Sequence, residues 1–238
     1  MGIATSISRL RDYYARNGFW ATIRRSGTAA KRKLFANRSV LFYCDLTTQN
    51  LASTELPNFL QVERKSSAAE LNADDAEAIA NVWNPKIARQ NIKERFARGA
   101  SLWLIRFEDR LAGYGWTLRG STIEPHYFPL AARDIHLFDF HIFTPFRGRN
   151  INPCLVTYVL NSLAAEDLGR AFIEVAEWNG AQLSSLRRTP FICLGYASKS
   201  EISGRTIVWW AAPGTNGHCL PERQSGGHNL STHRPAVK

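Results

Sequence analysis

Apolar and polar positions alternate along seven stretches of the chain, and this alternation predicts β-strands. Residues 101–120 alternate on both sides of Glu108, Asp109 and Arg110, which is typical of two strands joined by a tight turn. With that hairpin, strands are predicted over residues 39–46, 59–65, 101–107, 111–119, 134–143, 170–178, 191–197 and 205–212.

Helical spacing appears in four other stretches. The first follows Asn72, which is placed to cap it, and the second starts at Asn84-Pro85 and ends at Gly99. Asn152-Pro153 repeats that signature, so we expect Asn152 to cap a helix over 153–168; a short helix follows over 180–188. A strand, a nine-residue loop, a helix and another strand form a crossover, which favours parallel pairing of 134–143 with 170–178. The chain is therefore predicted to fold as a mixed α/β protein.

Charge divides the chain unevenly. Of the net charge of +10, most lies in residues 1–38, where nine Lys and Arg residues face only Asp12. Aromatic and aliphatic residues are interleaved with these cations, so a basic amphipathic helical extension is predicted there. Its apolar side could cover anionic lipid, nucleic acid or the protein's own body. Residues 39–212 are expected to form the folded domain, and the polar residues 213–238 a disordered tail.

Composition narrows the class of protein. No run reaches the roughly 18 apolar residues that a membrane span needs, and no secretory leader is recognisable, so we expect a cytoplasmic protein. The basic extension leaves a location at the membrane periphery open. The four cysteines are far apart and the tail histidines lack ligand spacing, so we expect reduced thiols and no metal.

The stretch 143–156, FTPFRGRNINPCLV, lies between a predicted strand and a predicted helix. Amide groups at a helix start can converge on an anion, and Arg147 and Arg149 add positive charge. Gly148 permits close approach of the backbone, and Asn150 tolerates a left-handed conformation better than most side chains do. Phosphate or pyrophosphate would suit such a loop, although an ordinary basic loop remains the alternative.

In the same stretch, the sequence resembles the GNAT superfamily of acyl-CoA-dependent N-acyltransferases. That family places an Arg or Gln, two residues, a Gly, one residue and a Gly or Ala between its fourth strand and the next helix. Arg147 takes the basic position, and Asn150 and Asn152 stand where glycines are usual. Family positions further along fall on Asn179, Leu186, Pro190 and Phe191. By order of elements the resemblance covers about residues 59–212.

The resemblance implies a GNAT-like mixed sheet flanked by helices, with acetyl-CoA or another acyl-CoA as the acyl donor. The loop amides would hold the pyrophosphate, while the backbone where the fourth and fifth strands splay apart would hold pantetheine and polarise the thioester. The residues implied to bind the cofactor are Ile142, Phe143, Arg147, Gly148, Arg149, Asn150, Ile151, Asn152 and Asn179.

Attack of an amine on a thioester needs a base near the reacting carbonyl. His141 lies nearest the expected acyl position and is the predicted base, with Asp139 as substrate anchor or alternative base. A purely structural His–Asp pair is the competing interpretation. His136 lies on the same strand, and Glu174 and Glu177 on the next strand are weaker candidates. Because Leu186 replaces the family's protonating tyrosine, the thiolate's proton is assigned to Ser184, Ser185 or Tyr158, or to no side chain.

Two functions follow from these patterns. The first is transfer of an acyl group to a small-molecule amine, an amino sugar or a protein amine. The second is a non-catalytic binding module on the same fold, whose basic N-terminal segment contacts nucleic acid or an anionic membrane. The oligomeric state is left open.

Overall fold

The computed structural model describes residues 38–47, 56–82, 84–123, 126–202 and 205–211. The predicted tail lies outside these residues, and so does the predicted basic extension except for Arg38, which begins the first strand.

The described residues form eight strands and four α-helices in the order expected from the sequence. The strands are β1 (Arg38–Asp45), β2 (Leu60–Lys65), β3 (Ser101–Phe107), β4 (Arg110–Arg119), β5 (Asp134–Ile142), β6 (Arg170–Ala176), β7 (Ile192–Ile202) and β8 (Arg205–Ala211). The helices are α1 (Ala73–Ala80), α2 (Pro85–Ala97), α3 (Ile151–Ala164) and α4 (Gly180–Leu186). The mixed α/β prediction is confirmed.

All eight strands form one sheet in the order β2-β3-β4-β5-β6-β1-β7-β8. β5 and β6 pair in parallel, as the crossover predicts, and every other neighbouring pair is antiparallel. The alternation in β1 predicts a strand but not its place. It lies between β6 and β7, far from β2, which follows it in the chain.

The two faces of the sheet carry different cores. Trp103 on β3 belongs to a large core that is covered by α3, whereas its neighbours Leu102 and Leu104 belong to a smaller core under α1 and α2. We call these the α3 face and the α2 face. Successive residues of a strand point to opposite faces, so this division follows directly from the sequence alternation.

Two of the three predicted helix caps are confirmed. Asn72 accepts a hydrogen bond from the N–H of Asp75 at 2.7 Å, and Asn84 accepts one from Ile87 at 3.3 Å. The third prediction is wrong: α3 begins at Ile151, two residues early, and its cap is Asn150 instead of Asn152.

Two further expectations concern the state of the cysteines and the length of the apolar helices. Cys44 and Cys154 are reduced thiols, but Cys193 is disulfide-bonded, so the prediction of reduced thiols fails at Cys193. Among the helices of the described residues, none is both long and apolar enough to cross a bilayer.

The central position of β1 makes a stability prediction. Phe42 is 3% exposed inside the large core, so Phe42→Ala should lower the free energy of unfolding by about 3–5 kcal/mol. Urea denaturation measures this change. Ile192→Ala on the neighbouring β7 is the control, because Ile192 is 51% exposed and its truncation should cost only about 0.5 kcal/mol. Equal losses in the two variants would contradict a buried β1.

Candidate functional site

The sheet opens between β5 and β6. The two strands pair only through Asp134–Arg170, Ile135–Ala171 and His136–Phe172. Beyond His136 each strand continues without the other, so two strand edges face a gap within the described structure. At the closed end the guanidinium of Arg170 donates two hydrogen bonds of 2.9 Å to the buried carboxylate of Asp134. This bidentate pair fixes the point at which the strands diverge.

A β-bulge reshapes β5 beside the gap. Trp116 on β4 pairs with Phe138 and Tyr114 pairs with His141, so Asp139 and the following residue together oppose a single residue of β4. That residue is Gly115, where a Cβ atom would come within 2.5 Å of the neighbouring aromatic ring. Asp139 has a φ of 50°. The bulge therefore brings His141 to the α2 face, which simple alternation from Phe138 would not do.

His141 lies among aromatic rings at the open end of the gap. Its ring stacks on Tyr114 with 5.8 Å between centroids and lies 5.9 Å from Phe143. Burial lowers the pKa of His141, the nearby charge of Arg147 lowers it further, and Asp139 opposes both effects. The imidazole is therefore neutral at neutral pH, which is the form that can accept a proton.

Asp139 is held by α2. Arg95 donates a hydrogen bond of 2.5 Å to its carboxylate and lies over the rings of Trp116 and Phe138, at 5.2 and 5.3 Å. The carboxylate is thus engaged in an ion pair, and its negative charge acts on His141 from a fixed position.

The loop between β5 and α3 has the backbone shape of an anion-binding turn. Gly148 has a φ of 80° with open space around it, and Asn150 has φ 59° and ψ 17°, in the left-handed region. Asn150 therefore adopts a conformation for which glycine or asparagine is preferred. In the described structure, the N–H groups of residues 148–152 donate no hydrogen bond to the protein. Left-handed residues with unused amides at a helix start form the kind of concavity that binds phosphate groups.

Comparison with solved structures identifies this architecture. No protein-family model matches the sequence, and no curated protein does. A GNAT-family acetyltransferase from Colwellia psychrerythraea matches with a TM-score of 0.50 at 15% identity, over 74% of this chain and 56% of that one. The chain has the GNAT fold.

Two further GNAT structures match less well. One is a GNAT-family protein from Novosphingobium aromaticivorans, with a TM-score of 0.45 at 13% identity, over 67% of this chain and 61% of that one. The other is a tandem GNAT protein from the clavulanic acid biosynthesis pathway, with a TM-score of 0.43 at 13% identity, covering 69% and 55%. The chain spans less than two thirds of the length of each of these three proteins.

The two arginines of the loop between β5 and α3 contact other parts of the chain. The Nε of Arg147 donates to the carbonyl of Ile142 at 2.9 Å, and an Nη atom lies 3.4 Å from Nε2 of His141. The guanidinium of Arg149 lies over the ring of Phe107 at 5.0 Å. The charge of Arg147 therefore lies beside His141 at the open end of the gap, and the charge of Arg149 lies beside Phe107.

The backbone groups expected to hold pantetheine are partly engaged. The carbonyl of Ile142 accepts from Arg147, and the N–H of Phe143 donates to the carbonyl of Ala112 at 2.9 Å. The Ile142 carbonyl is thus engaged by a side chain, whereas the Phe143 N–H belongs to the sheet.

Asn152 and Asn179 are also predicted to bind the cofactor, and both make hydrogen bonds with residues of α4. Asn152 donates to the hydroxyl of Ser185 at 2.7 Å, so its side chain turns away from the loop amides. Asn179 caps α4 by accepting from the N–H of Gln182 at 3.3 Å. The hydroxyl of Ser185 thus accepts a hydrogen bond and keeps its own proton, and Tyr158 packs against Trp103 with 6.5 Å between ring centroids.

A second polar cluster lies where β5 and β6 diverge. His136 Nε2 and a carboxylate oxygen of Glu174 are 2.7 Å apart, and Nδ1 of His126 is 3.7 Å from the same oxygen. Burial lowers the pKa of His126 to about 4, although Glu174 opposes this shift. Burial alone would raise the pKa of Glu174, but the hydrogen bond from His136 and the charges of His136, His126 and Lys199 outweigh it and lower that pKa.

The sequence indicates His136 and Glu174 separately, and no local pattern indicates His126. His136 and Glu174 lie 38 positions apart, and nothing in their local patterns shows that the splay brings them together. His126 lies in a loop without periodicity, so only the folded structure could identify the cluster.

Proposed function

We propose that this protein transfers an acyl group from an acyl-CoA to an amine. The observation that carries the proposal is the gap between β5 and β6, which opens directly onto a loop with unused amides at the start of α3. A strand gap suits an extended chain that carries amides, and the loop suits phosphates. Coenzyme A combines these two features in one molecule.

The residues present fit such a ligand. The amides of Gly148, Arg149, Asn150, Ile151 and Asn152 would bind the pyrophosphate, supported by the dipole of the 14-residue helix α3. Arg147 would exchange the carbonyl of Ile142 for a phosphate oxygen. The pantetheine arm would then pair with the free strand edges and pass near Asn179 at the start of α4.

Bound acyl-CoA supplies an activated thioester, and the chain supplies position and proton transfer. His141 is neutral and lies at the open end of the gap, so it can take a proton from the acceptor's ammonium before attack, or from the amine nitrogen as the C–N bond forms and the thioester C–S bond breaks. Asp139 is fixed by Arg95 and would favour the imidazolium that results. The acceptor would be a small amine or amino sugar that approaches His141 from the α2 face.

A turnover assay tests this proposal. The purified chain is mixed with acetyl-CoA and a panel of primary amines, including amino sugars and polyamines, and released thiol is measured. We expect enzyme-dependent thiol release with at least one acceptor, together with a mass increase of that acceptor by one acetyl group. Failure with acetyl-, propionyl- and longer acyl-CoA on every acceptor would contradict the proposed reaction.

A further inference from the structure

The cluster of His126, His136 and Glu174 has the composition of a metal site. One ligand atom from each residue lies within 4.8 Å of the other two. Around a tetrahedral ion with bonds of 2.0–2.1 Å, ligand atoms are about 3.3 Å apart. The two distances to Glu174, 2.7 and 3.7 Å, lie on either side of that value, so small side-chain movements would suffice.

The two imidazoles are buried with unmet hydrogen-bonding capacity. Their side chains are only 4% and 5% exposed, for His126 and His136 respectively. Nε2 of His126 and Nδ1 of His136 have no hydrogen-bond partner among the described residues, and the closest acidic oxygen to His126 is 3.7 Å away. A buried imidazole without a partner is unfavourable by about 1–3 kcal/mol. An ion between the rings and the carboxylate would bind Nδ1 of His126 and Nε2 of His136, the nitrogens nearest the Glu174 oxygen, and would replace the hydrogen bond from His136.

Charge and access also favour a cation. The three side chains can present one carboxylate oxygen and two imidazole nitrogens together. Lys199 is a positive group near them, and its ammonium lies 4.8 Å from the centre of the Tyr127 ring. A cavity of about 480 Å³ has His126 in its wall, which gives an ion a route to the site.

We propose that His126, His136 and Glu174 bind one divalent transition-metal ion, with zinc as the favoured ion. Two imidazoles and one carboxylate suit zinc and related ions, whereas magnesium and calcium prefer oxygen ligands alone. The ion would join β5, β6 and the loop before β5 at the point where the strands diverge. This site is independent of the proposed acyl transfer.

Equilibrium binding of zinc to the metal-free full chain tests the site. We expect one bound ion per chain by isothermal titration, with affinity at least about 100-fold weaker in Glu174→Gln and in His126→Asn. Glu177→Gln is the matched control, because Glu177 pairs with Arg38 at 3.4 Å and should keep wild-type affinity. Lys199→Gln removes the competing charge and should bind zinc more tightly.

Three results would overturn the proposal. They are no binding by the wild-type chain, undiminished binding in both cluster variants, and an equal loss in Glu177→Gln. Undiminished binding in both cluster variants would show that the ion binds elsewhere on the chain. Circular dichroism establishes that each variant is folded. If Glu174→Gln fails to fold, His126→Asn carries the test, because His126 lies in a loop outside the strands.

Discussion

Asn150→Val should abolish binding of acetyl-CoA, whereas Asn150→Gly should preserve it. Asn150 has φ 59° and ψ 17°, a left-handed conformation that costs an ordinary residue about 1–2 kcal/mol and a β-branched residue more. Valine would leave that region and rotate the amides of the loop away from one another. Glycine adopts the same dihedrals without strain and is also the residue that the GNAT pattern expects here.

Isothermal titration of acetyl-CoA into the two variants measures this difference. We expect no detectable heat with Asn150→Val and a dissociation constant within a few-fold of wild type with Asn150→Gly. Position 150 is the first residue before α3, so the fold itself should survive both changes. Equal affinity in the valine and glycine variants would show that the loop amides do not bind the phosphates.

His141→Asn should reduce turnover by about 10²–10⁴-fold while acetyl-CoA binds with unchanged affinity. The asparagine can keep polar contact at the end of β5 but cannot accept a proton near neutral pH. Steady-state thiol release and isothermal titration together separate the two effects. If turnover persists within a few-fold of wild type, His141 is not the base.

The pH dependence of kcat/KM tests the assignment of His141 as the base. Burial and the charge of Arg147 lower the pKa of His141 below its usual value of 6.5. The neutral imidazole, which can accept a proton, should therefore already predominate at pH 6.5. The acidic limb of kcat/KM should therefore lie below pH 6.5. Asp139 raises the pKa of His141, so Asp139→Asn should shift that limb to still lower pH. A limb above pH 6.5, or a shift upward in Asp139→Asn, would contradict this role.

Local sequence patterns predict the elements well, and their limits have physical causes. Strand alternation, the crossover and the caps Asn72 and Asn84 depend on neighbours within a few residues. The place of β1 depends on pairing with strands more than 120 residues away, at Ala176 and Ser198 among others, which alternation does not encode.

Contacts between residues that are distant in sequence also decide details of the candidate site. Asn-Pro starts α2 but not α3, because Asn152 is drawn to Ser185 on α4 and Asn150 takes the left-handed turn instead. The bulge at Asp139 places His141 on the α2 face, and at that bulge an aromatic ring lies against Gly115. The loop could thus be predicted from sequence, but its turning residue and the cluster around Glu174 required the fold.

Urea unfolding of the wild-type chain with and without acetyl-CoA tests most directly whether the gap and loop bind an acyl-CoA. At a ligand concentration 100 times its dissociation constant, the free energy of unfolding should rise by about 2.7 kcal/mol. Pantetheine, which lacks the phosphates, should produce a much smaller rise at the same concentration. No change with acetyl-CoA, or an equal change with pantetheine, would contradict the assignment of this loop to the phosphates of coenzyme A.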